Sequence, residues 1–240
     1  MATAPQPGNV DPRARARALM KASSTFGACP DATIDEIVRR AQLQKFAKGE
    51  SLCHQGDPGD SLMIVLSGSL KVTNITADAK EVVLDFLKAG ALIGEIAALD
   101  GRERTANVVA LEPTETVVIF RRDLMPVLRQ SNEAMFALLE GLCARIRATN
   151  ALVESFSRGT DVRVAACLVR LIEEHGQDAQ GGKTIDLKLT QRDLGSHLGL
   201  TRETVSRTLS DFRDQGLVEV RGTSIVVLDV DGLRDIAEGE

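Results

Sequence analysis

Long hydrophobic runs, Cys-x-x-Cys pairs and an excess of charge of one sign are all missing from this chain of 240 residues. No apolar run reaches the roughly 18 residues that a membrane-spanning helix needs, and the first residues have no signal-peptide pattern. We therefore expect a cytoplasmic protein without a membrane partner. The 29 basic and 34 acidic residues give a net charge of −5. That balance argues against nonspecific coating of nucleic acid but leaves room for a local basic face.

The cysteines Cys29, Cys53, Cys143 and Cys167 are scattered, and no histidine stands at metal-finger spacing from any of them. We expect reduced thiols and no metal site. Cys53 and His54 form a tempting pair of metal or haem ligands, but adjacent residues of a strand point to opposite faces. No histidine or acid lies in a nucleophile or metal motif, so the chain is not predicted to be an enzyme.

Composition divides the chain into four stretches. Residues 1–22, rich in Pro, Gly, Ala and Arg, predict a flexible extension that turns helical near 14–20. Residues 23–124 predict a short helix at 34–41, then β-branched runs between turn signals, which is typical of a small antiparallel barrel or roll. Residues 125–158 predict a long helix, and residues 159–240 predict a second unit of helices and short strands.

The long helix carries apolar residues at heptad spacing. One position is taken by Met135, Leu142, Thr149 and Phe156, and the other by Leu138, Arg145 and Leu152, where Arg145 interrupts the seam. A helix of this length has more apolar surface than a small barrel covers, so we expect a symmetric homodimer through it. The alternative is a helix that packs wholly on its own domain.

Residues 189–213 have the spacing of two short helices joined by a glycine turn. Thr190 and Thr201 stand where each helix would begin and can cap it, and Gly199 supplies the turn between them. This arrangement is the helix-turn-helix, whose second helix enters the major groove of DNA.

The exposed N-terminal side of the second helix carries Arg202, Glu203, Ser206 and Arg207. Arginine can donate two hydrogen bonds to guanine, glutamate can accept one from cytosine, and serine can contact thymine or phosphate. The alternative is a solvated face held by ion pairs between neighbouring residues of the helix. The preceding helix, the turn and a strand pair predicted around residues 221–224 favour DNA recognition.

A further informative stretch is residues 89–110. Gly94 allows close backbone approach, the small residue Ala97 follows it, and Arg104 with the Thr105 hydroxyl can clamp an anionic phosphate. Glu95 would repel a phosphate unless it accepts a hydrogen bond from a sugar hydroxyl while Arg104 neutralises the phosphate. The pattern therefore suggests a nucleotide with a sugar and a single phosphate.

Both stretches, in this order and flanking a long helix, resemble the CRP/FNR superfamily of bacterial transcription regulators over about residues 23–235. The run 56–72 resembles the β-roll of that family, and the string from Gly94 to Thr105 resembles its phosphate-binding cassette. The resemblance implies an α+β fold with a cyclic-nucleotide-binding β-roll, a dimerisation helix and a C-terminal winged helix-turn-helix. It implies a homodimer that binds a cyclic nucleotide, with cAMP preferred, then binds a near-palindromic double-stranded DNA operator and contacts RNA polymerase.

Carried over residue by residue, the resemblance assigns the ribose 2′-hydroxyl to Glu95, the cyclic phosphate to Arg104 and Thr105, and the purine to Thr149 and Asn150. The nucleotide site predicted in this way comprises Ile93, Gly94, Glu95, Ile96, Ala97, Arg104, Thr105, Thr149 and Asn150. The predicted DNA-binding residues are Thr190, Gln191, Arg192, Thr201, Arg202, Glu203, Thr204, Ser206, Arg207 and Arg221.

Alternatives on the same fold concern the effector. Cyclic GMP, alone or together with cAMP, is one, since Thr105, Thr149 and Asn150 can each bond a guanine edge. An FNR-like regulator with another effector or none is a second, because Ser206 gives the Glu-x-x-Ser-Arg pattern of that branch where the cAMP-binding prototype has glycine. Operator half-sites containing TGT or TTG both stay open. A redox or gas sensor would need an N-terminal cysteine cluster, and Cys29 stands alone there.

Overall fold

The computed structural model describes residues 11–23, 25–185 and 187–239. They form two compact units. The first unit comprises the described residues up to 70 together with 87–145, and the second comprises 71–86 and 146 onwards. The hairpin 71–86 therefore groups with the C-terminal residues although the chain on both sides of it belongs to the first unit.

The first unit begins with helices α1, Pro12–Ala22, and α2, Asp31–Arg39. The Asp11 side chain accepts a hydrogen bond from Arg13 N and so caps α1. Both helices contribute to one core, through Ala16, Met20, Ile34, Ile37 and Val38. Of the extension predicted over 1–22, residues 1–10 lie outside the described residues. The remainder is a helix of the core, because its apolar residues at 16 and 20 share one face.

The strands of the predicted roll are β1 Gln42–Phe46, β2 Ser51–Cys53, β3 Ser61–Ser67, β4 Ser69–Ile75, β5 Glu81–Lys88, β6 Leu92–Ile93, β7 Asn107–Ala110 and β8 Thr114–Phe120. They lie in two sheets with the strand orders β1-β8-β3-β6 and β2-β7-β4-β5. Strands β3 and β8 pair antiparallel, with Met63 opposite Val118. Helix α3, Glu95–Asp100, follows β6 directly. The α+β fold predicted from the sequence is confirmed.

The long helix predicted over 125–158 is two helices in the structure, α4 at Arg121–Gln130 and α5 at Asn132–Ser155. Ser131 separates them with an extended backbone, φ −124° and ψ 106°. Its hydroxyl accepts a hydrogen bond from Ala134 N at 3.2 Å, which caps the start of α5. The break lies at this serine rather than at Pro126, which α4 accommodates.

Helix α5 exposes a different apolar face from the predicted seam. Leu138, a member of that seam, is buried in the core of the first unit together with Ala134 and Ala137. The exposed residues Phe136, Leu139, Cys143, Ile146, Asn150 and Val153 repeat at steps of three and four and form what we call the α5 stripe. Because Ala134, Ala137 and Leu138 pack into this core, the α5 stripe lies one residue further along the helix than the predicted seam.

The second unit contains α6 Thr160–His175, β9 Gly176–Ala179, β10 Gly182–Ile185, α7 Gln191–Leu198, α8 Arg202–Asp214, β11 Val218–Arg221, β12 Ser224–Val227 and α9 Val230–Glu238. Its sheet has the order β11-β12-β10-β9. The sequence predicts a polar turn over 176–183 and a strand over 184–189. In the structure both arms of this segment pair as a hairpin, with Gly182 opposite Ala179, because backbone hydrogen bonds tolerate the polar side chains.

Within the second unit, the hairpin 71–86 contacts helix α7. Lys71 Nζ lies 3.1 Å from Asp193 Oδ1 and 2.6 Å from Glu81 Oε1. Ser196 Oγ donates to the Glu81 carbonyl at 2.6 Å and accepts from Val83 N at 3.2 Å. These contacts attach the first helix of the helix-turn-helix to the hairpin.

His197, also on α7, is held as a neutral ring. It is 2% exposed. Its Nδ1 lies 3.1 Å from the Val83 carbonyl, and its Nε2 lies 2.9 Å from Nη2 of Arg170. A neutral ring with the proton on Nδ1 donates to the carbonyl and accepts from the guanidinium. Burial, and then the positive charge of Arg170, lower the pKa of His197 from 6.5 to about 4.

We expect the free energy of unfolding to fall as the pH is lowered from about 7 to about 5, by about 2 kcal/mol from His197. The unfolded chain takes up a proton near pH 6.5, whereas the folded chain resists it until about pH 4. The contribution of His197 is therefore complete above pH 6.5 and is lost as the pH falls through that window. Urea unfolding at both pH values should give a smaller pH difference in His197→Gln. An equally large difference in the variant would contradict the assignment, and His175→Gln serves as the matched control.

Candidate functional site

Arg104 lies at the centre of the candidate site of the first unit and is 5% exposed. Nη1 donates to the carbonyls of Ser61 and Gly94 at 2.8 and 3.3 Å, and Nη2 donates to Ser61 Oγ at 2.8 Å. Nε has no acceptor within the part of the chain that the structure describes. The guanidinium is thus fixed from one side by Ser61, which sequence reasoning missed, and keeps a donor for an anion.

Glycine at position 94 allows both a left-handed backbone and a close approach of Arg104. Its φ of +80° is left-handed, and a Cβ at this position would collide with Nη1 of Arg104. Helix α3 begins at the next residue, and its first internal hydrogen bond runs from Ala98 N to the Gly94 carbonyl at 2.9 Å. The N–H groups of Glu95, Ile96 and Ala97 therefore stand outside the hydrogen-bond pattern of the helix. Ile93 and Ala97 are buried and pack the loop into the unit.

Glu95 is a buried carboxylate with one satisfied oxygen. The residue is 7% exposed, and Oε1 lies 2.6 Å from Nη1 of Arg145 on α5. Oε2 is buried and finds no hydrogen-bond donor among the described residues. A buried acceptor without a donor is unfavourable by about 1–3 kcal/mol, so this oxygen favours a ligand hydroxyl.

The structure brings together Ile93, Gly94, Glu95, Ile96, Ala97 and Arg104, with Thr105 exposed beside them. It adds Arg145, which the sequence pattern presented only as an interruption of a heptad seam. The signal that could have found Arg145 is a single cation among apolar positions of a helix. Thr149 and Asn150 are exposed residues of the second unit, so their part in nucleotide binding stays a prediction.

In the second unit, the two predicted helices begin at the predicted caps. Thr190 Oγ1 accepts from Asp193 N at 3.1 Å, and Asp193 Oδ2 accepts from Thr190 N at 3.0 Å, which makes a reciprocal capping box. Thr201 Oγ1 accepts from Thr204 N at 3.1 Å at the start of α8. Gly199 ends α7 with φ +63°, so the turn between the helices is tight.

The outer face of this motif carries cations without partners. Arg192, Arg202 and Arg207 are exposed, and none of them forms an ion pair within residues 11–23, 25–185 and 187–239. Glu203 and Ser206 are exposed beside them. The alternative of a solvated face held by ion pairs between neighbouring residues therefore does not apply to Arg202 and Arg207 on α8. Uncompensated arginines are what contacts to phosphates and bases require.

A groove of about 460 Å³ lies between the start of α7 and the turn after β11. The predicted DNA-binding residues that line it are Thr190, Gln191, Arg192 and Arg202. Arg221, at the end of β11, pairs with Glu219 at 2.6 Å, so this predicted contact is already engaged within the protein. All ten predicted DNA-binding residues, including those that line this groove, stay predictions.

Metal and membrane sites find no support in the described parts of the chain. No group of three or more His, Cys, Asp or Glu side chains there is placed to hold a metal ion. Cys53, the last residue of β2, is buried, whereas His54 after it is exposed. No described helix has both the length and the apolar character that crossing a membrane takes.

Two family models match this chain. Residues 43–131 match the cyclic nucleotide-binding domain, and residues 162–236 match the Crp-like helix-turn-helix domain. The first match contains the Arg104 and Glu95 cluster, and the second contains the capped helix pair with its free arginines.

Curated relatives match this chain over most of their own length. A CRP-like cAMP-activated global transcriptional regulator of Mycobacterium tuberculosis is 26% identical over 216 residues, which are 90% of this chain and 96% of the relative. The transcriptional activator protein anr of Pseudomonas aeruginosa is 31% identical over 209 residues, which are 87% of this chain and 84% of the relative. The solved structure of FixK2 from Bradyrhizobium japonicum has the same fold, with a TM-score of 0.73 and 22% identity, and covers 81% of this chain and 96% of its own.

Proposed function

The chain belongs to the CRP/FNR superfamily of transcription regulators, and from that premise we propose that it is a homodimer that responds to cAMP. In this proposal each chain binds one nucleotide, and the dimer then places two α8 helices on a near-palindromic operator and contacts RNA polymerase there. Half-sites about one helical turn apart would match such a dimer. The observation that carries the proposal is the buried pair of Arg104 and Glu95 on either side of Gly94.

The residues of this cluster fit a cyclic nucleotide. The guanidinium groups of Arg104 and Arg145 and the carboxylate of Glu95 leave one positive charge, which matches the single negative charge of a cyclic phosphate. The unpartnered Oε2 of Glu95 supplies an acceptor for a ribose hydroxyl, and Nε of Arg104 supplies a donor for the phosphate. The Mycobacterium tuberculosis relative is a cAMP-activated regulator, which supports cAMP as the nucleotide.

Calorimetric titration of nucleotide-free protein with cAMP and separately with cGMP tests the effector. We expect saturable binding of cAMP near one molecule per chain, and tighter binding of operator DNA in its presence. Saturation by cGMP alone would identify that nucleotide as the effector. If neither nucleotide releases heat, the Arg104 and Glu95 cluster is not a nucleotide site, and an FNR-like regulator becomes the better proposal, in line with the 31% identity to the anr protein.

The α5 stripe supports the homodimer. Phe136, Leu139, Ile146 and Val153 are 65%, 46%, 60% and 62% exposed, which is unusual for side chains of this size. The α5 stripe as a whole repeats at steps of three and four residues, which is the spacing of a two-stranded coiled coil. Asn150 lies in the same stripe, and a polar residue at such a position favours a defined register and a two-chain assembly.

Mild oxidation of the native protein should join two chains through Cys143. In a parallel coiled coil, whose two-fold axis runs along the seam, a seam residue faces its own copy in the partner, within reach of a disulfide whose Cα atoms are about 5.5–6 Å apart. Cys29, Cys53 and Cys167 are buried and do not compete, whereas Cys143 is exposed. Non-reducing electrophoresis after copper-phenanthroline treatment should show a covalent dimer.

A matched variant distinguishes the α5 stripe from its neighbouring face. Cys143→Ser combined with Ala144→Cys moves the thiol by one position around the helix, away from the stripe, and should give monomers only. Efficient cross-linking by this double variant, or none by the native protein, would contradict the α5 stripe as the dimer seam.

A further inference from the structure

A cavity of about 230 Å³ lies inside the second unit between helices α5, α6 and α7. Its apolar wall comes from Ala148, Ala151, Leu152, Ala166, Cys167 and Leu198. None of the α5 stripe residues lines it, so a dimer through that stripe leaves the cavity accessible. Its volume is just below the range of about 300–1,000 Å³ that is typical of pockets for drug-sized ligands.

Two charged side chains line the cavity, and both belong to arginines, Arg163 and Arg170. Arg163 donates through Nη2 to the Leu198 carbonyl, and its guanidinium lies 5.4 Å from the centre of the Phe156 ring. Its Nε is buried and has no hydrogen-bond acceptor in the described chain. A buried donor of this kind favours an acceptor supplied from outside the protein.

Arg170 is only partly neutralised by acids outside the cavity. Its Nη1 lies 3.4 Å from Asp85 and 3.3 Å from Glu174, which are long distances for ion pairs with a guanidinium. The other polar lining groups add no charge. His197 is neutral for the reasons given above, and burial raises the pKa of the Cys167 thiol to about 11. No carboxylate lines the cavity, so it keeps a positive field.

We propose that this cavity binds a small organic carboxylate, with its carboxyl group on Nε of Arg163 and its hydrocarbon part along the apolar wall. A cation at the end of an apolar cavity selects an anion with an apolar body over inorganic anions and over neutral molecules. Such a ligand would contact α5, α6 and the first helix of the helix-turn-helix at once. The cavity would therefore be a second effector site, independent of the nucleotide cluster of the first unit.

Hexanoate and its uncharged analogue hexanamide are suitable probes, followed by methyl NMR of the full-length protein labelled at alanine. Hexanoate should shift the methyl signals of Ala148, Ala151 and Ala166 saturably and leave Ala97 and Ala98 of the first unit unchanged. Hexanamide should bind about tenfold more weakly or worse, because it loses the charge-assisted hydrogen bond. No saturable shift of the three lining methyls, or equal affinity for both probes, would overturn the proposal.

Variants locate the site independently of these shifts. Arg163→Gln should weaken hexanoate binding about tenfold, whereas Arg158→Gln, an exposed arginine that does not line the cavity, should not change it. Ala166→Leu fills the cavity while keeping both arginines, and it should abolish binding even if Arg163→Gln fails to fold. Wild-type affinity of the folded Ala166→Leu protein would refute the site.

Discussion

Arg104→Ala should lower the affinity for cAMP by a factor of at least about 100 and abolish the response of operator binding to the nucleotide. The substitution removes a charge and the donors that an anion needs inside a buried site, where both count more than in water. Without this guanidinium, less positive charge offsets the repulsion between the Glu95 carboxylate and the phosphate. Calorimetry for the nucleotide and fluorescence anisotropy for operator DNA measure the two effects.

Arg121→Ala is the matched control for that variant. Arg121 also fixes helix α3, but from its other end, where Nε donates to the Ala98 carbonyl at 2.8 Å. Its loss should leave the affinity for cAMP within about threefold, since it offers no donor to the Gly94 loop. Thermal unfolding of both variants separates loss of a ligand contact from loss of the folded domain. Operator binding by folded Arg104→Ala that still responds to cAMP would place the nucleotide elsewhere.

The helix-turn-helix could be predicted almost to the residue because its signals are local. Thr190, Thr201 and Gly199 each act on the backbone within a few residues, so their chemistry alone fixes where α7 and α8 begin and where the turn lies. The part of the second unit that was mispredicted, 176–183, has polar side chains. It is a strand pair because of backbone hydrogen bonds to a partner strand, which composition does not encode.

The nucleotide cluster could be predicted only in part, because its missing members are distant in sequence. Ser61 contacts Arg104 across 43 residues, and Arg145 contacts Glu95 across 50. Neither spacing belongs to a helix or strand period, so only the fold brings these side chains together. What the local pattern did indicate was the close backbone approach at Gly94, together with the charges of Glu95 and Arg104.

The heptad register of α5 is a third feature that could not be predicted from the sequence alone. Apolar residues occupy adjacent positions at 135–136, 138–139 and 152–153, so the sequence supports two seams that differ by one residue. In the structure Ala134, Ala137 and Leu138 are buried in the core of the first unit, which leaves exposed the apolar positions one residue after the predicted seam. The choice depends on packing against another part of the chain, and periodicity alone does not contain it.

Arg207→Ala should weaken binding to the specific operator strongly and leave the affinity for cAMP unchanged. Arg207 is exposed on α8 and has no ion pair in the described chain, so its guanidinium is free for a base edge. Loss of one bidentate contact to guanine is worth about 1–3 kcal/mol. A homodimer loses it in both half-sites, so the sum is about 2–6 kcal/mol, or roughly 30-fold to 10⁴-fold in affinity. Anisotropy titrations at fixed salt measure the change.

Arg213→Ala separates base recognition from general attraction between the protein and DNA. Arg213 lies on the same helix, but Asp214 engages its guanidinium at 2.9 Å, so its removal takes away little free positive charge. This variant should keep operator affinity within about threefold and keep the preference for operator over unrelated DNA. Arg207→Ala should instead lose that preference, because a base contact specifies sequence whereas a phosphate contact weakens binding to all DNA alike. If Arg207→Ala reduces affinity for operator and unrelated DNA equally, Arg207 contacts the phosphate backbone, and the sequence must be read by Arg202 and Glu203.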